Sequence, residues 1–186
     1  MFNKRKLITS LLALLTVAPL LFLFIKNIQA AAVTWDGGGA DNDWETAANW
    51  STDAVPTAAD DVTIDVNVTV NLNSATTINK LTLGKEDGSV TPTLNFNYDA
   101  LAGEGDPLVI DGDGVTSDAL TVYSGAIITH SDATSGEVIN GRVSIDVQAG
   151  NVVINGIINL DYKGYIKGNS GQAGEGPGGG DYNTWS

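Results

Sequence analysis

The stretch from Val62 to Leu72 constrains the fold most, because apolar and polar residues alternate without a break over eleven positions. Its apolar members are mostly β-branched. A period of two with this composition is typical of a β-strand that has one buried and one wet face. The side chains predicted to share the buried face are Val62, Ile64, Val66, Val68, Val70 and Leu72.

Seven shorter apolar segments follow, separated by glycine, asparagine, aspartate, serine and threonine, which are turn-forming residues. They are LTL at Leu81, LNFNY at Leu94, LVI at Leu108, LTVY at Leu120, VSIDV at Val143, VVI at Val152 and INL at Ile158. We therefore predict an all-β fold.

Two all-β layouts fit the spacing of these segments. The segments that start at Leu81, Leu94, Leu108 and Leu120 lie 13, 14 and 12 residues apart. A parallel solenoid, in which each strand stacks on its counterpart one turn later, uses such spacings. An antiparallel β-sandwich is the alternative, since its turn signals recur roughly every 8 to 12 residues. The pairs Asn140-Gly141 and Asn155-Gly156 suit hairpin turns and solenoid corners equally.

Asparagines at solenoid corners can stack in ladders along the axis. The candidates for such a ladder are Asn95, Asn97, Asn140, Asn151, Asn155 and Asn159.

The first 32 residues are laid out as a secretory signal peptide. Lys4, Arg5 and Lys6 precede an apolar run over residues 7–25, and Ala30-Ala31-Ala32 offers a small-residue cleavage site. The length of the run leaves an uncleaved membrane anchor as the alternative. Either way, the rest of the chain is predicted to be secreted or displayed at the cell surface.

The exported part is strongly acidic. The leader contains four of the nine basic residues and no acidic ones, so five basic residues remain against 22 acidic ones, a net charge of −17. Such a surface repels nucleic acid and anionic lipid. The chain has no cysteine, so disulfides and thiol chemistry are excluded.

Three of the four tryptophans, Trp35, Trp44 and Trp50, lie within sixteen positions around the turn Gly37-Gly38-Gly39. One interpretation is a cap, in which the rings cover the open end of the strand stack. The other is glycan stacking, in which exposed ring faces bind sugars. The first is favoured because clustered aromatic rings most often bury one another.

This segment also resembles a known family. W-x-G-G-G, D-N-D-W, A-A-N-W and V-P-x-x-x-D-D-V-x-I, read from Trp35 to Ile64, resemble the start of the passenger regions of bacterial autotransporters and surface adhesins. The resemblance implies a right-handed parallel β-helix of the pectin-lyase-like type after a tryptophan-rich cap. With it we divide the chain into a cap over residues 33–60 and a solenoid over residues 61–167.

Residues 168–186 differ in composition from the rest of the chain. Seven of these nineteen residues are glycine. We predict a flexible tail, because so few apolar residues cannot offset the entropy of ordering. We also expect that the full protein continues beyond it.

Few residues suggest catalysis. His130 is the single histidine and no G-x-S-x-G elbow is present, so nucleophile–histidine chemistry and zinc binding lack their residues. We predict that His130 is a surface residue. A calcium site at Asp111, Asp113 and Asp118 is one interpretation of the DGDG turn. A solvated aspartate–glycine turn without a bound ion is the favoured interpretation.

The function predicted from these features is non-enzymatic: a structural or adhesive protein with an unidentified extracellular partner, such as a glycan or a cell surface. The alternative is a carbohydrate-active module. It would bind sugar through the tryptophans, or act as a polysaccharide lyase or hydrolase on a β-helix.

Overall fold

The computed structural model describes residues 30–97, 108–114, 117–131 and 143–161. These residues form twelve strands and one short 3-10 helix, Ala47–Asn49. The strands are β1 (Ala31–Thr34), β2 (Asp60–Ile64), β3 (Thr69–Leu72), β4 (Thr76–Ile78), β5 (Lys80–Leu83), β6 (Thr93–Phe96), β7 (Leu108–Ile110), β8 (Asp118–Val122), β9 (Ile127–His130), β10 (Ile145–Val147), β11 (Asn151–Ile154) and β12 (Ile157–Ile158).

These strands form three sheets. Sheet one has the order β1-β2-β5-β8-β11, sheet two β3-β6-β9-β12 and sheet three β4-β7-β10. All nine pairings between the described strands are parallel. The prediction of an all-β fold is confirmed, and the antiparallel sandwich is wrong for this part of the chain.

From β2 onward the strands visit the sheets in rotation: one, two, three, then one again. We call three consecutive strands, one in each sheet, a circuit. Leu81 pairs with Leu120 in the next circuit, so those predicted segments do stack on one another. The pair Asn155-Gly156 joins β11 in sheet one to β12 in sheet two, so it is a corner and not a hairpin turn.

The core is built from apolar columns, because the pairing register places one inward side chain of each strand on its counterpart in the next circuit. In sheet one, Val62, Leu81 and Leu120 form such a column. In sheet two, Val70, Leu94 and Ile128 form another. All six are buried. Burying a large aliphatic side chain stabilises the folded chain by roughly 1.5–3 kcal/mol, so these columns are the main source of stability.

The prediction of one strand from Val62 to Leu72 is wrong. The segment is two strands, β2 and β3, joined by a corner at residues 65–68. Val66 lies on that corner with 39% of its surface exposed, and Val68 is partly buried. The corner contains four residues, an even number, so the inward residues of β2 and of β3 all have even numbers. The alternation in the sequence therefore continues through the corner without a break.

The first strand contains the predicted leader cleavage site. Ala31 and Ala32 pair with Asp60 and Asp61 of β2, and the Ala31 N–H donates to the Ala59 carbonyl at 3.3 Å. Val33 is 2% exposed and belongs to the core. The glycine-rich tail lies outside the described residues, as does Asn140-Gly141.

Candidate functional site

The three tryptophans of the N-terminal segment form one buried cluster. The Trp50 ring packs edge-on against Trp35 and Trp44, with ring centroids 5.0 and 4.7 Å apart. Trp35 is 3% exposed, and Trp44 and Trp50 are fully buried. No ring face is open to a sugar, so the predicted glycan stacking on Trp35, Trp44 and Trp50 is wrong in this structure.

Asn49 holds the loop that carries these rings. Its buried side-chain amide donates to the Asp41 carbonyl and carboxylate at 3.1 and 3.2 Å and to the Asp43 carbonyl at 3.1 Å. Its Oδ1 accepts from the Gly39 N–H at 2.9 Å. A Cβ on Gly39 would lie 2.5 Å from that oxygen, which explains the glycine. One buried amide thus replaces the hydrogen bonds that a regular element would supply.

The same loop affects the pKa of Asp41 through hydrogen bonds to its carboxylate. The Asp43 N–H, the Thr46 side chain and the Asn49 amide all bond its carboxylate. Together they lower the pKa of Asp41 below its ordinary value, because each hydrogen bond favours the charged form.

The tryptophan segment is seated on the first circuit through both sheet one and sheet two. In sheet one, β1 lies beside β2. In sheet two, Asp43 forms a parallel bridge to Asn71 of β3. Glu45 then accepts from the Asn73 N–H at 3.0 Å and from the Ser74 hydroxyl at 2.9 Å. The arrangement covers strand edges that would otherwise expose unpaired backbone groups.

Amide side chains stack along sheet two, as the ladder prediction requires for two of its candidates. Asn95 donates to Asn71 at 3.0 Å, and Asn97 donates to Asn73 at 2.7 Å. Ser131 continues the second row by donating to Asn97 at 2.6 Å.

The other ladder candidates are engaged differently. Asn151 donates to the carboxylate of Asp118 at 3.2 Å. Asn159 accepts the Thr129 hydroxyl through its backbone carbonyl. Asn155 makes a backbone contact to Val122, and Asn140 lies outside the described residues.

The predicted calcium site is not assembled. Among the described residues, no three acidic or histidine side chains lie close enough to hold a metal ion. Asp113 instead forms an ion pair with Lys80 at 2.5 Å and accepts a hydrogen bond from Ser117. This pairing lowers the pKa of Asp113 and raises that of Lys80. Asp111 is exposed, and Asp118 is bonded by Asn151.

A polar cleft of about 700 Å³ lies beside this ion pair, where sheet three turns into sheet one. Its lining residues are Ala30, Ala58, Ala59, Asp61, Asn79, Gly112 and Asp113. Asp61 accepts a 2.6 Å hydrogen bond from the Asn79 amide. Both carboxylates of the cleft are therefore already partnered, Asp61 by Asn79 and Asp113 by Lys80.

His130 is not a surface residue, contrary to the prediction. It is 4% exposed and occupies an inward position of β9, paired with Phe96 of β6. Its Nδ1 lies 2.8 Å from the Ser131 carbonyl. The ring therefore fills a core position that its neighbours in the column fill with apolar side chains.

Three structural roles escaped prediction from the sequence: the Lys80–Asp113 ion pair, the buried Asn49, and the start of the ladder at Asn71 and Asn73. The last had a signal, because the repeat N-x-N occurs at both 71–73 and 95–97. The first two are long-range or loop contacts without a local pattern.

No helix within the described ranges is long and apolar enough to cross a membrane. No protein-family model, curated protein or solved structure matches this chain.

Proposed function

We propose that the chain is a non-enzymatic structural or adhesive protein, secreted or displayed at the cell surface, and built as a right-handed parallel β-helix. The observation that carries the proposal is the repeated circuit through three parallel sheets, with inward columns in register. This arrangement suits a scaffold, because each circuit buries the one before and presents its outward side chains in rows.

Export is supported by the leader-like layout of the first 32 residues. The resemblance of the tryptophan segment to autotransporter and adhesin passengers points to the same location. Fractionation of the native host tests this part. We expect the chain outside the cytoplasm, and N-terminal sequencing should begin at Val33 if the leader is cleaved. A cytoplasmic, unprocessed chain would overturn it.

The β-helix is tested by cross-linking, since the chain has no cysteine. Thr63 and Thr82 are register partners in neighbouring circuits, so cysteines placed there should form a disulfide on oxidation. A Thr63 and Thr129 pair, which joins different sheets, is the matched control and should not. A crystal structure of the chain would then determine the hand of the helix.

Adhesion is tested by immobilising the full chain on beads. The beads are then exposed to whole cells and to a panel of extracellular glycans. We expect saturable retention of cells or of one glycan class, without release of shortened glycan. Glycan cleavage would favour the carbohydrate-active alternative. Retention that survives unfolding of the chain would contradict recognition by the folded scaffold.

A further inference from the structure

The corner between β2 and β3 contains an acceptor motif for N-linked glycans. Asn67-Val68-Thr69 has the required pattern of asparagine, any residue except proline, then serine or threonine. The chain has one other match, Asn49-Trp50-Ser51. Sequence alone ranks the two equally, and the structure separates them.

Asn49 cannot carry a glycan in this fold. Its side chain is fully buried, and its Nδ2, the atom that would bond the sugar, donates to the Asp41 carbonyl, the Asp41 carboxylate and the Asp43 carbonyl. A sugar on that nitrogen would remove these bonds and displace the neighbouring Trp50.

Asn67 has the opposite environment. The residue is exposed on the corner, and so is Thr69, which supplies the hydroxyl of the motif. Its Oδ1 accepts from the Thr91 N–H at 2.7 Å, while its Nδ2 donates to none of the described residues. The amide is thus held by its oxygen, and its nitrogen is left for reaction.

From this contrast we propose that Asn67 is an N-glycosylation site of the exported chain. The donor class is a lipid-linked oligosaccharide pyrophosphate. Nδ2 loses a proton and bonds the anomeric carbon, and the lipid pyrophosphate leaves with the electrons of the broken C–O bond. Because the product is still an amide, its oxygen can keep the bond to Thr91.

The surroundings of Asn67 suit a glycan. Val66, the neighbouring corner residue, is 39% exposed, and a bulky hydrophilic sugar would cover it. The corner lies on the side of the strand stack, so a glycan leaves the strand pairing intact.

The proposal rests on the export part of the proposed function, but its test does not. The folded full chain is incubated with an oligosaccharyltransferase that modifies short peptides of both motifs, together with its lipid-linked oligosaccharide, and glycosylated peptides are identified by mass spectrometry. We expect one glycan, at Asn67. Thr69→Ala should lose the glycan and Thr69→Ser should keep it. Thr69 is exposed, so neither change disturbs the core. Asn67→Asp should also lose the glycan while keeping an acceptor for Thr91.

Several results would overturn the proposal: a glycan at Asn49 of the folded chain, equal modification of Thr69→Ala and the unaltered chain, or no glycan while a control acceptor peptide is modified. Tryptophan emission of each variant confirms that it is folded. Failure of export would appear in the fractionation experiment and would leave this assay unaffected.

Discussion

At the scale of single residues, two buried tryptophans differ in one hydrogen bond. The Trp50 indole donates to the Trp44 carbonyl at 2.8 Å, whereas the Trp44 indole N–H is buried without a partner among the described residues. We expect Trp50→Phe to cost about 1–3 kcal/mol, because it leaves a buried carbonyl unsatisfied. Trp44→Phe should cost less, since it removes a donor that was already unpaired. Urea unfolding measures both, and equal losses would contradict the assignment.

The corner at residues 65–68 makes a second contrast between single residues. Ile64 is fully buried and Val66 is 39% exposed, although both belong to the same alternating pattern. Ile64→Asp should cost several kcal/mol, because it buries an unpaired charge. Val66→Asp should change the stability by no more than about 0.5 kcal/mol. If thermal melting fell equally in both variants, residues 62–72 would have to be one continuous strand.

At the scale of elements, the Asp41 carboxylate accepts hydrogen bonds within the tryptophan loop. Its pKa is lower in the folded chain than the ordinary value of 3.8. The resulting stabilisation is therefore present above about pH 3.8 and is lost as the pH falls through the lower folded pKa. Asp41→Asn should flatten the acid dependence of unfolding in that window. Asp53→Asn, which removes one carboxylate at an exposed turn residue, is the matched control.

At the scale of the whole molecule, burial falls toward the last described strands. Ile128 and Ile158 are register partners in one column, but Ile128 is fully buried and Ile158 is 46% exposed. Ile128→Asp should therefore unfold the chain or cost several kcal/mol, whereas Ile158→Asp should cost much less. Circular dichroism melting of the two variants decides this. A larger loss for Ile158→Asp would mean that further contacts bury it in solution.

Net charge also acts on the whole molecule. Because Asp111, Asp113 and Asp118 do not form a metal-binding group among the described residues, calcium should act on them only by screening the net charge of −17 on residues 33–186. Melting temperatures in calcium and sodium chloride at matched ionic strength should then agree. A calcium-specific rise that disappears in the Asp111→Asn, Asp113→Asn double variant would restore the predicted site.

Much of the architecture was predictable because a half-buried strand has apolar residues at every second position. All seven apolar segments after Leu72 correspond to strands, and the spacing from Leu81 to Leu120 matches one circuit. The burial of the tryptophans was also foreseen in the cap interpretation. The strands β1, β4 and β9 were not predicted: β1 was divided between the leader and the cap, and the threonines of β4 and the threonine and histidine of β9 weaken the apolar signal.

The sequence by itself determined the all-β class, most strand positions and the grouping of the three tryptophans, because these follow from local alternation and composition. Only the tertiary structure decided where a strand bends, which sheet it joins and what each polar residue meets. The corner between β2 and β3 turns Val66 outward, and register with Phe96 places His130 in a core column. Asp113, which follows β7, pairs with Lys80 at the start of β5. The physical reason is that such contacts depend on residues far apart in the chain, and an alternating pattern contains no information about which circuit will lie beside it.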